Sequence, residues 1–405
     1  MAMEQKEAAI RVLHDEMSTI KEKNRELFKR LQTLKGNIRV MARIRPAPAD
    51  TPQEDLVNFG AREKGECADC WGKLHVPVER KTATGRIETT MRSFDFERIF
   101  GPEETNKDVF DEVSELIECV LEGDKVGIFA YGQTGSGKTH TLCHRGRDSS
   151  SDDGVIPKTL SLLFQASKAA NRQKITISMS VVEIYLDKTY DLLQSSDRGE
   201  RVQTRLETAF FVPLESEAEA NNIIDLAMER RVTRATNKND NSSRSHLIIN
   251  LQIDREGPQG QLDSGYLYLV DLAGSERPAA AGAQSMQLKE GIRINQSLTS
   301  LNLAISALGK GTSVSYDSDL TRALRPVLSQ GSKSLMFVMV SPLKKDLPVS
   351  IQTLEKGQEA ANARLAAANR TAGRPSSSGR STPLVPSTSR PSRNSTSSRT
   401  SRFGR

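Results

Sequence analysis

The sequence predicts an α/β domain in which helices flank both faces of a central β-sheet, mixed but mostly parallel. Apolar runs of strand length, such as Ile38 to Ile44 and Leu335 to Val340, alternate with helical stretches such as Lys107 to Leu121. Strands that alternate with helices are typical of this class. The predicted domain covers residues 38 to 365, and no linker-like sequence interrupts it.

Residues 1 to 37 form a separate segment that is predicted to be a dimerising coiled coil. Its apolar residues recur in alternating steps of three and four, which is the spacing of a heptad seam. Asn24 occupies an a position, where a buried Asn fixes the register and favours two strands. The alternative is an amphipathic helix that packs on its own domain. The seam consists of Ile10, Leu13, Met17, Ile20, Leu27, Leu31 and Leu34.

The last segment, residues 366 to 405, is predicted to be a disordered basic tail. From Thr371 onward it holds seven arginines and neither an acidic residue nor a lysine, whereas the whole chain has a formal charge of +6, so the remainder is near neutral. A segment dominated by Ser, Thr, Arg and Pro cannot bury enough apolar surface to offset its chain entropy. Aromatic residues do not interleave with the arginines, which argues against nucleic acid as a partner.

Composition narrows the class of protein further. No run approaches the roughly 20 apolar residues that span a bilayer, so we expect no membrane partner. Four cysteines in 405 residues give no disulfide framework, which fits a reducing compartment such as the cytoplasm. Cys67 and Cys70 with His75 amount to half a zinc site at most, and an insertion loop is the favoured interpretation.

A glycine-rich octapeptide supplies the clearest chemistry. It reads G-Q-T-G-S-G-K-T, follows an apolar strand-like run and precedes a predicted helix, which is the context of a P-loop. Its backbone N–H groups would wrap a β-phosphate, its lysine would neutralise β- and γ-oxygens, and its threonine would hold Mg²⁺. The octapeptide consists of Gly132, Gln133, Thr134, Gly135, Ser136, Gly137, Lys138 and Thr139.

Two further loops carry polar residues suited to the same ligand. Asp271 ends the apolar run that begins at Tyr266 and is suited to Mg²⁺ coordination, while Gly274 could bring its N–H to a γ-phosphate. The polar loop from Asn239 to His246 precedes another strand, and its Ser and Arg residues could close over the phosphate and the metal. Each loop alone is an ordinary polar loop.

Together, the three segments resemble the kinesin motor family. That family carries Y-G-Q-T-G-S-G-K-T, N-x-x-S-S-R-S-H and D-L-A-G-S-E in this order, and Tyr131 to Thr139, Asn239 to His246 and Asp271 to Glu276 match them. The resemblance extends over most of residues 38 to 365. It implies a P-loop NTPase-like motor domain, with ATP and Mg²⁺ as ligands and a microtubule-stimulated ATPase activity.

The resemblance also assigns roles around the nucleotide. Arg43, Arg45 and Pro46 match the family's R-x-R-P adenine site, and His140 matches the residue beside the nucleotide. Asn295 and Leu298 match the family's relay helix, which carries the nucleotide signal to the microtubule face.

The polar loop at residues 239 to 246 corresponds to switch I of the family, and the loop at residues 271 to 276 to switch II. Asn239, Ser242 and Ser243 would contact the γ-phosphate and Mg²⁺, with Thr139 and Ser243 as metal ligands. Arg244 and Glu276 would form the salt bridge that closes the two switches around the attacking water. This closure would position the water and exclude bulk solvent.

The coiled coil precedes the motor domain, as in the subfamily with C-terminal motors and minus-end direction. The resemblance therefore implies a dimer that moves or crosslinks microtubules in the cytoplasm, in spindles for example.

The microtubule face departs from the family. Gln296 and Asp319 stand where the family has Lys, and Tyr316 stands where it has Arg, while Lys289, Arg293 and Arg322 remain as expected contacts. Exposed ion pairs contribute roughly 0.2 to 1 kcal/mol each, so three changes would weaken binding by about one to two orders of magnitude. We hypothesise that the motor domain alone binds microtubules weakly, and that dimerisation and the arginine-rich tail compensate for this low affinity. The alternative is a non-motile microtubule linker that hydrolyses ATP poorly.

Overall fold

A computed structural model describes most of the predicted domain and little outside it. The described residues are 37–59, 72–81, 86–146, 152–169, 174–195, 201–233, 243–257, 260–276 and 285–372, with isolated helical residues between 12 and 27. Most of the predicted coiled coil, the predicted switch I residues Asn239 and Ser242, and the tail beyond Ala372 lie outside this set. Among the described residues, no helix has the length and apolarity that crossing a membrane requires.

Twelve strands and seven α-helices make up the described part of the chain. The strands are β1 (Ile38–Ile44), β2 (Gly72–Lys81), β3 (Ile87–Phe96), β4 (Arg98–Phe100), β5 (Lys125–Gly132), β6 (Ile175–Tyr185), β7 (Lys188–Ser195), β8 (Arg201–Gln203), β9 (Val212–Leu214), β10 (His246–Glu256), β11 (Leu262–Asp271) and β12 (Lys333–Val340). The helices are α1 (Asn106–Leu121), α2 (Lys138–Cys143), α3 (Val155–Ala169), α4 (Glu217–Thr233), α5 (Ser285–Gly309), α6 (Asp319–Ala323) and α7 (Leu347–Ala372).

The central sheet is mixed, as the sequence predicts, but it is not mostly parallel, because four pairs of the described strands are parallel and five are antiparallel. The strand order is β4-β1-β12-β5-β11-β10-β6-β7-β8, with β9 beside β6, while β2 and β3 form a separate hairpin. The pairs from β4 to β11 are parallel, and β10 pairs antiparallel with both β11 and β6. The predicted α/β class is therefore confirmed.

Hydrophobic cores cover both faces of the sheet because side chains alternate along each buried strand. On β5, Ile128 and Ala130 pack against α1 and α3, whereas Phe129 and Tyr131 face the core shared with α5 and α7. Parallel strands covered on both faces read as continuous apolar runs. For this reason β5 and β12 were recognisable in the sequence.

The sheet topology decides where a ligand can bind. Strands β1, β5 and β11 run in the same direction, so their carboxyl ends lie at one edge of the sheet. Ligands of open α/β sheets bind in the crevice outside the carboxyl ends of the strands. The loops that follow β5 and β11 carry the P-loop and Asp271.

The last helix, α7, continues to Ala372, seven residues beyond the predicted end of the domain at residue 365. Three consecutive alanines, Ala366 to Ala368, follow the predicted end, and alanine has the highest helix propensity. Residues 366 to 372 were predicted to be disordered and are helical instead.

Candidate nucleotide site

The P-loop turns from the end of β5 into α2. Gly137 has a φ of 98°, a left-handed conformation that favours glycine, and the helix begins at the next residue, Lys138. The Lys138 ammonium is 8% exposed and donates to the carbonyls of Gly132 and Gln133, at 2.9 and 2.8 Å. Burial lowers the pKa of Lys138, while the carboxylates of Asp271 and Glu276 favour its charged form.

A cavity of about 470 Å³ opens beside this loop, and it gathers most of the predicted nucleotide residues. Thr141 and Met339 also line it and were not predicted. Gly132, Gln133 and Ser136 are absent from the lining, since they form the turn underneath, where the Ser136 hydroxyl donates to the Gln133 carbonyl at 2.8 Å. The predicted residues in the lining are Arg43, Arg45, Pro46, Thr134, Gly135, Gly137, Lys138, Thr139, His140, Ser243 and Asp271.

The paired arginines at the end of β1 have different environments. Arg43 is 3% exposed, and its guanidinium donates to Asn106 Oδ1 at 2.5 Å and to Thr141 Oγ1 at 2.8 Å. Burial lowers the pKa of Arg43. Arg43 therefore holds α1 and α2 together at the back of the cavity, whereas Arg45 and the exposed Pro46 are closer to solvent.

Two of the residues predicted to hold Mg²⁺, Thr139 and Asp271, lie in contact. Thr139 Oγ1 donates to Asp271 Oδ2 at 2.7 Å, and the other carboxylate oxygen of Asp271 is buried without a hydrogen-bond partner among the described residues. A hydroxyl and an unsatisfied carboxylate oxygen beside the P-loop are the hard oxygen ligands that Mg²⁺ prefers. These residues fit a Mg²⁺ ion bound together with a nucleotide.

A fully buried arginine, Arg231, contacts Asp271 and was not predicted from the sequence. Arg231, near the end of α4, places its guanidinium 3.4 Å from Asp271 Oδ2, and it donates to the Ser245 carbonyl at 2.8 Å. Glu183 Oε1 lies 3.9 Å from the same guanidinium. In the sequence, Arg231 is one of two adjacent arginines before a polar loop, and nothing there indicates that it turns inward.

The two switch loops are joined through their backbones. The Gly274 N–H donates to the Ser243 carbonyl at 2.8 Å, so the group predicted to sense a γ-phosphate connects switch II to switch I in this conformation. A side chain at Gly274 would collide with the Glu276 carboxylate and the Thr134 hydroxyl. A side chain at this position would therefore displace the Glu276 carboxylate from the P-loop.

The predicted salt bridge between Arg244 and Glu276 is not formed in this conformation, and its formation in the closed state stays a prediction. Arg244 instead donates to Glu290 on α5 at 2.9 Å. Glu276 accepts the Thr134 N–H at 2.8 Å and also contacts the Thr134 hydroxyl. The backbone N–H of the P-loop satisfies the carboxylate of Glu276, which leaves Glu290 as the acidic partner within reach of Arg244.

His246 links both switches to α5. Its Nδ1 accepts the Ala273 N–H at 3.0 Å, so the proton resides on Nε2, which lies 2.9 Å from the Ser297 hydroxyl. Ser297 donates in turn to the Ile294 carbonyl at 2.8 Å. Burial lowers the pKa of His246 to about 3, which keeps the ring neutral.

One of the two predicted relay residues, Asn295, contacts switch II directly. The Asn295 amide donates to the Glu276 carbonyl at 3.2 Å and to the Gly291 carbonyl at 3.0 Å. Leu298 is 2% exposed and anchors α5 in the core. A movement of switch II would therefore be transmitted to α5.

The three cations predicted to contact a microtubule differ in availability. Arg293 is paired with Asp187 at 2.9 Å, and Arg322 is paired with Asp319 one turn before it. Lys289 is exposed and has no ion-pair partner among the described residues. Two of the three charges are thus partly neutralised within the chain.

The fold and the site define a P-loop nucleotide-binding domain with two switch loops. The chain belongs to the kinesin family, because the kinesin motor domain model matches residues 43–363. It is 36% identical over 364 residues to the kinesin-like protein klpA of Emericella nidulans, covering 85% of this chain and 46% of klpA. It is 37% identical over 358 residues to human kinesin-like protein KIFC1, covering 82% of this chain and 53% of KIFC1. The chain thus spans about half the length of these relatives.

Solved structures show the same likeness. The C-terminal motor and motor homology domain of Kar3Vik1, fused to a synthetic heterodimeric coiled coil, superposes with a TM-score of 0.75 at 31% identity, covering 88% of this chain and 94% of that one. The motor domain of the kinesin-related protein KAR3 of Saccharomyces cerevisiae superposes with a TM-score of 0.67 at 32% identity. The match covers 80% of this chain and 100% of the KAR3 chain. The resemblance to the family, inferred from three motifs, is confirmed.

Proposed function

We propose that this chain is a microtubule motor that binds and hydrolyses ATP with Mg²⁺. One observation carries the proposal: Glu276 contacts the P-loop through its side chain and α5 through its carbonyl, which accepts from Asn295. A single switch residue thereby joins the nucleotide cavity to the helix predicted to face the microtubule. A nucleotide-binding protein without a mechanical partner would not need this connection.

In the proposed mechanism, the cavity residues bind and orient the nucleotide. Arg45, Pro46 and His140 line the adenine side, while the P-loop backbone and Lys138 hold the phosphates. Thr139 and Ser243, with Asp271 behind them, would hold Mg²⁺, which would supply positive charge to the phosphate oxygens. Phosphoryl transfer depends mainly on such positioning and charge stabilisation.

Closure of the switches prepares hydrolysis. Arg244 leaves Glu290 and pairs with Glu276, which brings switch I over the phosphate and excludes bulk water. Ser243, already tied to Gly274, moves with switch II. The part of switch I that contains Asn239 and Ser242 lies outside the described residues, and the phosphate contacts of both remain predictions.

The same closure changes the affinity of the motor domain for the microtubule. Asn295 ties switch II to α5, so α5 shifts when Glu276 moves. Lys289 and Arg293 lie on α5, and Arg322 lies on α6 beside it. The microtubule affinity of this face therefore follows the state of the nucleotide.

Dimerisation is proposed from the N-terminal segment. The seam residues Met17, Ile20 and Leu27 are helical and 48%, 58% and 62% exposed, so they do not pack on the motor domain. Exposed apolar residues at heptad spacing favour a second helix as their partner. With the coiled coil before the motor, we propose a minus-end-directed dimer that acts on cytoplasmic microtubules, including those of the spindle.

Nucleotide-dependent cosedimentation tests the coupling. The dimer is mixed with microtubules in the presence of a non-hydrolysable ATP analogue or of ADP. We expect tight binding with the analogue and weak binding with ADP. In Asn295→Ala this difference should shrink while nucleotide affinity is retained. Equal binding in both nucleotide states by the unaltered protein would contradict the proposal, and plus-end gliding on polarity-marked microtubules would contradict the direction.

A non-motile microtubule linker is the second candidate. The ion pairs of Arg293 with Asp187 and of Arg322 with Asp319 favour it, because they draw cations away from an acidic microtubule surface. A linker would bind microtubules equally with the analogue and with ADP, and microtubules would not accelerate its slow ATP turnover.

A further inference from the structure

Two histidines and an aspartate converge at the rim of the nucleotide cavity. His144 Nε2 lies 3.3 Å from Asp152 Oδ2, and His140 Nε2 lies 3.7 Å from the same oxygen. One ligand atom from each residue lies within 4.8 Å of the others. The two imidazole rings are stacked, with centroids 4.4 Å apart and planes inclined by 20°.

The two separations measured to Asp152 are close to those of a tetrahedral metal site. With metal–ligand distances of about 2.0 to 2.2 Å, two ligand atoms of a tetrahedral zinc site lie roughly 3.3 to 3.6 Å apart. The two separations measured to Asp152 Oδ2 lie in or next to this range. Because the rings are stacked, at least one imidazole has to rotate about its Cβ–Cγ bond before both nitrogens can face one ion.

The backbone holds the three ligands in place. Asn106 is 1% exposed, and its amide nitrogen donates to the backbone carbonyls of both His140 and Asp152, at 3.2 and 2.8 Å. The Gly154 N–H donates to the His144 carbonyl at 2.8 Å. The chain on either side of residues 147–151 is thus fastened at two points, and the ligand-bearing segments are pre-organised.

We propose that His140, His144 and Asp152 bind a divalent transition-metal ion of zinc's class, with one coordination position left to water. Two imidazoles and a carboxylate suit zinc, whereas Mg²⁺ prefers oxygen ligands alone. The site differs from that of the Mg²⁺ proposed to accompany the nucleotide, which involves Thr139, Ser243 and Asp271. His140 lines the nucleotide cavity and is the one residue that both sites would use.

Zinc titration calorimetry of the whole chain, saturated with Mg²⁺ and ADP, tests the proposal. We expect one zinc ion per chain in the unaltered protein. His144→Ala and Asp152→Asn should each weaken zinc binding by at least about tenfold. Mutation of residues that only hydrogen-bond to metal ligands already lowers metal affinity by about 10- to 100-fold, and loss of a direct ligand should cost at least as much. His75→Ala removes the histidine that the sequence places near Cys67 and Cys70, and it should bind zinc normally. Loss of zinc in this variant would assign the ion to that group and overturn the proposal.

A second measurement separates metal coordination from misfolding. Neither His144 nor Asp152 lines the nucleotide cavity, so both variants should keep the zinc-free melting temperature and the ATP turnover of the unaltered protein. Co²⁺ in place of zinc should give the visible absorption of a tetrahedral complex, and both variants should lose it. Absence of stoichiometric zinc binding, or zinc binding that survives both substitutions, would overturn the proposal.

Discussion

Arg244 of switch I donates to Glu290 of α5 at 2.9 Å. The Glu290 side chain is 8% exposed and also accepts the Tyr185 hydroxyl, so the arginine is held at a nearly buried carboxylate. Glu276 is meanwhile bound to Thr134 of the P-loop. In the proposed closure, pairing Arg244 with Glu276 requires both arrangements to break. The exchange of partners by Arg244 would then be the step that separates the conformation seen from the closed one.

Glu290→Gln should favour the closed conformation. A hydrogen bond to a charged group is worth about 1.5 to 3 kcal/mol, so loss of the charge frees Arg244 for Glu276. We expect the hydrolysis step of a single turnover without microtubules to accelerate by about tenfold. Asp187→Asn, which breaks the exposed pair with Arg293, is the matched control and should leave this step unchanged. A hydrolysis step that is slower or unchanged in Glu290→Gln would refute the exchange.

Arg231→Ala should destabilise the fold strongly. The substitution leaves the carboxylates of Asp271 and Glu183 buried without their cation, which typically costs about 3 to 5 kcal/mol. Urea unfolding measures the change in the free energy of unfolding. Arg230→Ala removes only a 2.6 Å bond to the Leu192 carbonyl and should cost about 1 kcal/mol. Similar losses of unfolding free energy in the two variants would show that the buried pairing of Arg231 with Asp271 and Glu183 does not stabilise the fold more than an ordinary hydrogen bond.

His246 should make stability depend on pH. Its pKa is about 3 in the folded protein and about 6.5 when unfolded, so between these values the unfolded chain binds more protons. The contribution of His246 is complete above pH 6.5 and is lost as the pH falls. From pH 7 to pH 5 it should lower the free energy of unfolding by about 2 kcal/mol.

Urea unfolding of His246→Gln at several pH values checks this. Glutamine does not titrate, so this part of the pH dependence should vanish even though the variant is less stable at pH 7. If the two proteins lose the same free energy between pH 7 and pH 5, another group is responsible.

Removal of the arginine-rich tail should weaken microtubule binding. Truncation after Ala372 keeps α7 whole and removes all seven arginines of the tail. Attraction to an anionic polymer is screened by salt, so the loss of affinity should be large at low ionic strength and small at high ionic strength. A truncated chain that cosediments like the full chain at low salt would rule out compensation by the tail.

Local sequence patterns predicted the fold and the nucleotide cavity well. β5 and the P-loop are contiguous in sequence, and the continuous apolar run and the glycines each have a direct physical meaning. Most residues assigned to the cavity from these motifs line it, and Asn295 contacts switch II as the resemblance implied.

The sequence could not predict partners that depend on packing. Arg231 turns inward because α4 packs against β6, β7 and β9, which brings its guanidinium to Asp271 and the Ser245 carbonyl, and no local pattern in the sequence indicates this. Two acidic residues could pair with Arg244, namely Glu276 in switch II and Glu290 on α5. Only Glu276 belongs to a motif from which the pairing could be predicted. Such choices depend on the conformation of the whole domain, which short motifs do not encode.

ATP turnover with and without microtubules tests the central claim most directly. If the P-loop and both switches act on one nucleotide and signal through Glu276 to α5, microtubules should raise turnover many-fold in the unaltered chain. Glu276→Ala should still bind a fluorescent ATP analogue yet fail to hydrolyse ATP, whereas Lys138→Ala should not bind the analogue. An ATP turnover rate that microtubules do not change, or normal ATP turnover by Glu276→Ala, would contradict the account.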